Sequence, residues 1–197
     1  MTVRPLLAVA LLLTAAPLAA QQQSDSYKFL SAIEKEEGKT VTDMIEQPGS
    51  TIINTRSTTS GKGALHILVS HPGALFFQYL LQHKADPNIR DSRGNTPLIL
   101  AAMAQREDLV TLLLTYKANI NLANAQGQTP LILAVNNRDL SMARLLIAKG
   151  ADPDQTDNLA GLSARDYALR DARNPALVAL FKDLPKKTRA AVAGPKL

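Results

Sequence analysis

The sequence predicts an all-α fold, an extended stack (a solenoid) of about five helix-turn-helix units joined by short hairpin loops. Three observations carry that expectation. The stretch Gly94-Asn-Thr-Pro-Leu-Ile-Leu-Ala-Ala102 returns 33 residues later as Gly127-Gln-Thr-Pro-Leu-Ile-Leu-Ala-Val135. A fixed period of that length marks stacked repeats, not one globule. A second apolar run follows each copy, Leu109 to Leu114 and Met142 to Ile147, and each copy then closes on a polar turn, Lys117 to Asn121 and Gly150 to Asp154.

Each piece of the repeated word has a physical task. Thr96 and Thr129 suit the N-cap, where a hydroxyl accepts from an orphan helix N–H. Pro97 and Pro130 suit the first helical position, which needs no donor and already has the right φ. Leu98, Leu100 and Ala101 supply the apolar side of a short helix, with Ala small enough to admit a neighbouring helix.

Taken in order, the chain opens with Arg4, an apolar run from Pro5 to Leu13 and a small-residue end at Ala19-Ala20. That layout is a signal peptide over residues 1–20, with cleavage expected after Ala20. Loss of Arg4 with it lowers the formal charge from +5 to +4. Ser24 to Ser26 then caps a helix over about 27–36, with Phe29, Leu30 and Ile33 on one face and Gly38 ending it. Val41, Met44 and Ile45 mark a second helix that Pro48-Gly49 closes. These helices and the loop to residue 60 form a first unit, 27–60. The next unit, 61–93, begins Gly-Lys-Gly-Ala-Leu-His66, with Gly63 in place of the capping Thr and Ala64 in place of Pro. Leu75, Phe76, Tyr79, Leu80 and Leu81 build its second helix. Units 94–126 and 127–160 are the regular copies. The last, 161–184, starts one residue late at Gly161, uses Ser163 as its cap, and ends in a helix from Asn174-Pro175 with Leu177, Leu180 and Phe181 buried. Residues 21–184 thus form one repeat domain, and 185–197 read as a disordered basic tail.

Composition agrees. Apolar residues reach 46%, enough for a core, while aromatics are 4% and Trp is absent, as close-packed Leu- and Ala-rich helices require. There is no cysteine, which excludes disulfides, thiolate metal sites and cysteine nucleophiles. An exported chain without cysteine suits a bacterial periplasm.

Helix, turn, helix, then a polar hairpin leading to the next Gly-x-Thr-Pro-Leu: this resembles the ankyrin repeat, over about Tyr27 to Leu184. The resemblance implies a non-enzymatic module that binds a partner protein through the hairpin tips and the exposed face of the first helix of each unit. On that reading the binding residues are Arg56, Lys62, Ser70 and His71 in one unit. In the next they are Arg90, Ser92, Arg93, Asn95 and Met103, and in the following one Gln126, Gln128, Asn136 and Asn137, with Ala125 beside them. Arg56, Lys62, Arg90 and Arg93 make part of that surface positive, which favours an acidic partner. The chain is expected to be a monomer, to bind no nucleic acid, and to have no transmembrane span once cleaved. The other reading of the same features is an envelope-associated structural protein touching anionic lipid through the tail cluster Lys186 to Arg189.

No cofactor, metal or catalytic residue is expected. His66 sits at the histidine position of the repeat word, where the family uses the imidazole structurally. His71 and His83 have no metal-ligand spacing to it. Glu34, Glu36 and Glu37 read as a solvated helix face. Ser57 to Gly63 lacks the spacing and the Ser/Thr of a phosphate loop. Asp154 to Asn158 lacks the glycine and the distant glutamate of a calcium loop.

Overall fold

The computed structural model describes residues 25–72 and 75–185. The expected signal segment and all of the basic tail beyond Pro185 lie outside the described residues. Among the described residues there are ten α-helices and no strand. Internal contacts divide the chain into two compact units, Met1–Pro97 and Leu98–Leu197.

The first unit carries α1 (25–34), α2 (Gly38–Ile45), α3 (Ala64–Leu68) and α4 (Leu75–Gln82). Its core is Phe29 and Ile33 of α1, Val41 of α2, Leu65 and Leu68 of α3, and Phe77, Leu80 and Leu81 of α4. The expected face of α1 holds, with Phe29, Leu30 and Ile33 buried. In α2 only Val41 of the three marker residues is buried, and in α4 Phe77 takes the central place while Phe76 and Tyr79 are half-buried and Leu75 is exposed. One boundary is corrected. Gly38 does not end α1; it opens α2. The chain reverses at Glu36, which adopts φ +56. The Glu36 N–H donates to the Ile33 carbonyl at 3.2 Å, and the Glu37 N–H to Ala32 at 2.9 Å. That is the crossed bond pair of a left-handed helix terminus.

The second unit carries α5 (Pro97–Met103), α6 (Glu107–Thr115), α7 (Pro130–Asn136), α8 (Leu140–Ala148), α9 (Ala164–Arg170) and α10 (Pro175–Lys182). Leu109 and Leu113 of α6, Leu131 and Ile132 of α7, Met142 and Leu146 of α8 are wholly buried. Ala101, Ala134, Ala143, Ala164 and Ala168 are buried too, and it is their small side chains that let helices approach. Leu177 and Phe181 of α10 close this core as expected, while Leu180 is half-buried.

Helix starts follow the sequence. Thr129 Oγ1 accepts from the Ile132 N–H at 3.2 Å, and Ser163 and Asp166 form a reciprocal capping box. Asn174 Oδ1 accepts from Leu177 at 3.2 Å. Helix ends repeat the device seen at Glu36. Lys84, Gln105, Lys117, Arg138 and Gly150 all have positive φ. In each the next residue's N–H reaches five positions back, as Ala118 does to Leu113 and Asp139 to Ala134, both at 2.9 Å.

One buried ion ties the C-terminal end together. Arg165 on α9 is buried, and its Nε donates to Asp154 Oδ1 at 2.6 Å. Its Nη1 donates to the carbonyls of Phe181 at 2.6 Å and Leu184 at 3.0 Å, and Nη2 to Pro185 at 3.2 Å. These include a terminal carbonyl of α10 that no intrahelical N–H can reach.

Candidate partner-binding surface

The hairpins that join the helix pairs are shaped from inside. In the first unit Asp91 is buried, and its Oδ1 accepts from the N–H groups of Arg93 and Asn95, both at 2.8 Å. The Asp91 N–H in turn donates to the Asn95 carbonyl at 2.9 Å. In the second unit Asn124 does the same work: its Oδ1 accepts from Gln126 and Gln128 at 3.0 Å. Asp157 repeats it with Ala160 at 2.9 Å and takes the Tyr167 hydroxyl on Oδ2 at 2.6 Å. Burial alone would raise the Asp157 carboxyl, but that hydroxyl and the surrounding N–H groups hold it below the ordinary carboxylate value. An acceptor facing two or three N–H groups fixes the turn, while the residues between point outward.

Within each unit neighbouring hairpins also bond tip to tip. The Ser92 N–H donates to the Ser60 carbonyl at 3.0 Å, and Asn158 to Gln126 at 2.9 Å. The next residues, Gly61 (φ +67) and Gly127 (φ +78), sit so close that a Cβ would fall 2.5 Å from those same nitrogens. Only glycine fits there.

A model of the family described as ankyrin repeats, in three copies, matches residues 65–157. Residues 65–157 are ankyrin repeats. No curated protein matches the chain. Ankyrin repeats are generally protein–protein interaction modules and are typically non-enzymatic.

Set against that family, the expected surface residues divide into two groups. Arg56, Lys62, Ser92 and Arg93 are exposed on the hairpins of the first unit, and Arg56 also donates to the Arg90 carbonyl at 3.2 Å. None of Arg56, Lys62 and Arg93 pairs with a carboxylate among the described residues. Ser70 is exposed beyond α3. In the second unit Met103, Gln126, Asn136 and Asn137 are exposed, as is Ala125. Four residues are more committed than expected. Arg90 is half-buried and donates to the Gly94 carbonyl at 3.2 Å. The ring nitrogens of His71 lie 3.1 Å from the carbonyls of Ile67 and Glu34. Gln128 is half-buried, and its Oε1 accepts from Asn124 at 3.4 Å. Asn95 is the clear correction: it is buried, its side-chain amide donates to Asp91 Oδ2 at 3.2 Å, and it belongs to the hairpin's frame, not its surface.

His66 has the structural place that the resemblance implies. It is 1% exposed, and its Nδ1 accepts from the Gly63 N–H at 3.1 Å. Its Nε2 lies 2.9 Å from the Asn95 carbonyl, so the pattern assigns the neutral ring with the proton on Nε2. The imidazole thus caps a helix whose own N-cap residue has no side chain. Burial, the largest influence, pushes the His66 pKa below its ordinary 6.5. The unfolded chain therefore binds the proton more readily than the folded one. The stabilisation is complete above pH 6.5 and is lost as the pH falls toward the lowered folded value. Urea unfolding should show stability dropping between pH 7 and pH 5, with a shallower drop in His66→Gln. Equal slopes for the two proteins would contradict this account.

The interior signal for Asp91, Asn124 and Asp157 was available in the sequence, since they recur every 33 residues. Arginines 138, 170 and 173 had no such signal. They stand in loops or at a helix end, and only the fold brings them together around Asp171, which bonds Arg138 and Arg173. Among the described residues no group of three or more His, Asp or Glu is placed to hold a metal ion, and no helix is long and apolar enough to cross a membrane.

Proposed function

We propose that this chain is an exported, periplasmic ankyrin-repeat module that captures an acidic partner protein on its hairpin edge and performs no catalysis itself. The observation that carries the reading is the set Arg56, Lys62 and Arg93. These three exposed cations stand on two hairpins whose backbones are already fixed, and no carboxylate among the described residues neutralises them. A rigid display loses little freedom on binding, so more of each contact appears as affinity. Unbalanced positive charge also speeds encounter with an acidic surface. Export is supported by the charged, apolar and small-residue segments of the N-terminal twenty residues.

The test is a crosslinking pull-down from the periplasmic fraction of cells carrying the full chain. Lys62→Glu with Arg93→Glu should leave melting nearly unchanged and strongly reduce capture. Arg90 is left alone, because its bond to Gly94 would confuse surface charge with hairpin shape. Arg144→Glu with Lys149→Glu, exposed on and just after α8, should capture normally. The reading is overturned if the second pair loses capture and the first does not. Absence of the chain from the periplasmic fraction would overturn the location.

A further inference from the structure

The second unit contains a cleft of about 480 Å3 between the α7–α8 turn and the α9–α10 turn. Its walls include Val135, Arg138, Tyr167, Arg170, Asp171 and Arg173. Asp171 anchors two of the arginines. Arg138 Nε donates to its Oδ2 at 2.7 Å, and Arg173 Nε to its Oδ1 at 3.2 Å. Each guanidinium has five N–H donors, yet among the described residues only the Nε of Arg138 and of Arg173 is used. Arg170, exposed at the end of α9, forms no ion pair among the described residues. Three guanidiniums against one carboxylate leave the cleft at +2. Beside this charge lies Val135, and the ring of Tyr167, whose hydroxyl is committed to Asp157.

We propose that this cleft is a second binding site, apart from the hairpin edge, and that it takes an acidic peptide segment whose carboxylates meet the free guanidinium edges of Arg138, Arg170 and Arg173. Carboxylates match the planar fork of arginine through paired N–H bonds. Asp171 holds Arg138 and Arg173 in position before any ligand arrives, so two of the three forks are already oriented. The part-exposed ring of Tyr167 favours a peptide over an inorganic anion. A side chain between two carboxylates would lie on that ring, which phosphate would leave uncovered. Asn136, on the first-helix side of this unit, borders the same cleft.

The experiment uses the full chain and three probes: the peptide acetyl-Glu-Leu-Glu-Leu-Glu-amide labelled for fluorescence anisotropy, its all-glutamine counterpart, and inorganic phosphate. Amide chemical shifts map the contact. The glutamate peptide should bind and move the signals of Asn136, Arg138, Arg170 and Ala172, with the other two probes giving no binding at the same concentrations. Arg170→Gln with Arg173→Gln should weaken the peptide roughly tenfold or more, while Lys62→Gln with Arg93→Gln should not. Arg170→Lys with Arg173→Lys keeps the charge without the fork and should restore part of the loss, which separates recognition from any damage to folding. Unchanged affinity in the Arg170/Arg173 glutamine variant overturns the proposal. Shifts confined to the hairpins, equal binding of the glutamine peptide, or phosphate moving the same amides would overturn it as well. The hairpin reading stands or falls by the pull-down, so neither result decides the other.

Discussion

Arg165→Ala should cost the protein about 3–5 kcal/mol of unfolding free energy, the range for breaking a buried ionic cluster from one side. The arginine is 5% exposed and satisfies three backbone carbonyls at and beyond the end of α10 as well as Asp154. Alanine removes every one of those donors. The Phe181 carbonyl then stays in the interior without a partner, a cost of roughly 1–3 kcal/mol by itself. Asp154 is less decisive, because its side chain is 31% exposed and water can take over. Asp154→Asn should therefore cost well under half as much. Chemical denaturation followed by circular dichroism measures both. Arg165→Ala unfolding at the wild-type midpoint would show that the clamp contributes nothing. Equal losses from the two substitutions would show that the ion pair, not the carbonyls, carries the effect.

Leu113→Ala and Leu146→Ala should each lower stability by about 2–5 kcal/mol, the sum of lost transfer energy and an unfilled cavity. Both leucines are 0% exposed, at equivalent places 33 residues apart on α6 and α8. Both also give their carbonyls to the crossed bonds that end their helices, to Ala118 at 2.9 Å and Ala151 at 3.0 Å. The side chain and the helix terminus are therefore fixed together, and the site has little freedom to collapse around alanine. Repeat arrays share stability between neighbours, so the loss should appear in the whole transition of the unit. Exposed Leu159 is the internal comparison: Leu159→Ala should move the midpoint very little. A core substitution no worse than Leu159→Ala would mean that the helical register differs from the one described.

The repeat word makes the fold legible because its information is local. Thr129, Pro130 and Leu131 act on their own helix, so their order along the chain specifies the cap, the first turn and the buried face. Leu113 and Leu146 are legible for the same reason: a period of 33 superimposes them on sequence alone. The helix ends are less legible. Lys84, Gln105, Lys117 and Arg138 occupy positions where glycine would be the usual sign, and only the bonding around them compels the left-handed backbone. Among the candidate site residues, Lys62 and Arg93 can be read as exposed because hairpin tips are polar. Asn95 cannot be separated from them in the sequence, since its burial depends on what Asp91 and His66 do on either side. The arginine cleft is least visible. It is assembled from turns in successive repeats that share no word, so nothing in one stretch announces the other.

The inward grip of Asp91 and Asn124 on their hairpins separates two demands that most binding loops must meet with the same residues. Shape is set by one side chain that faces the interior. Positions 92 and 93, like 125 and 126, give only their backbone to that shape. Their side chains are free to drift. Substitutions at the tips can therefore alter the charge and contour of the hairpin surface while the frame residue one or two places earlier keeps its shape. A library randomised at these four positions, with Asp91 and Asn124 retained, would start from molecules that already fold.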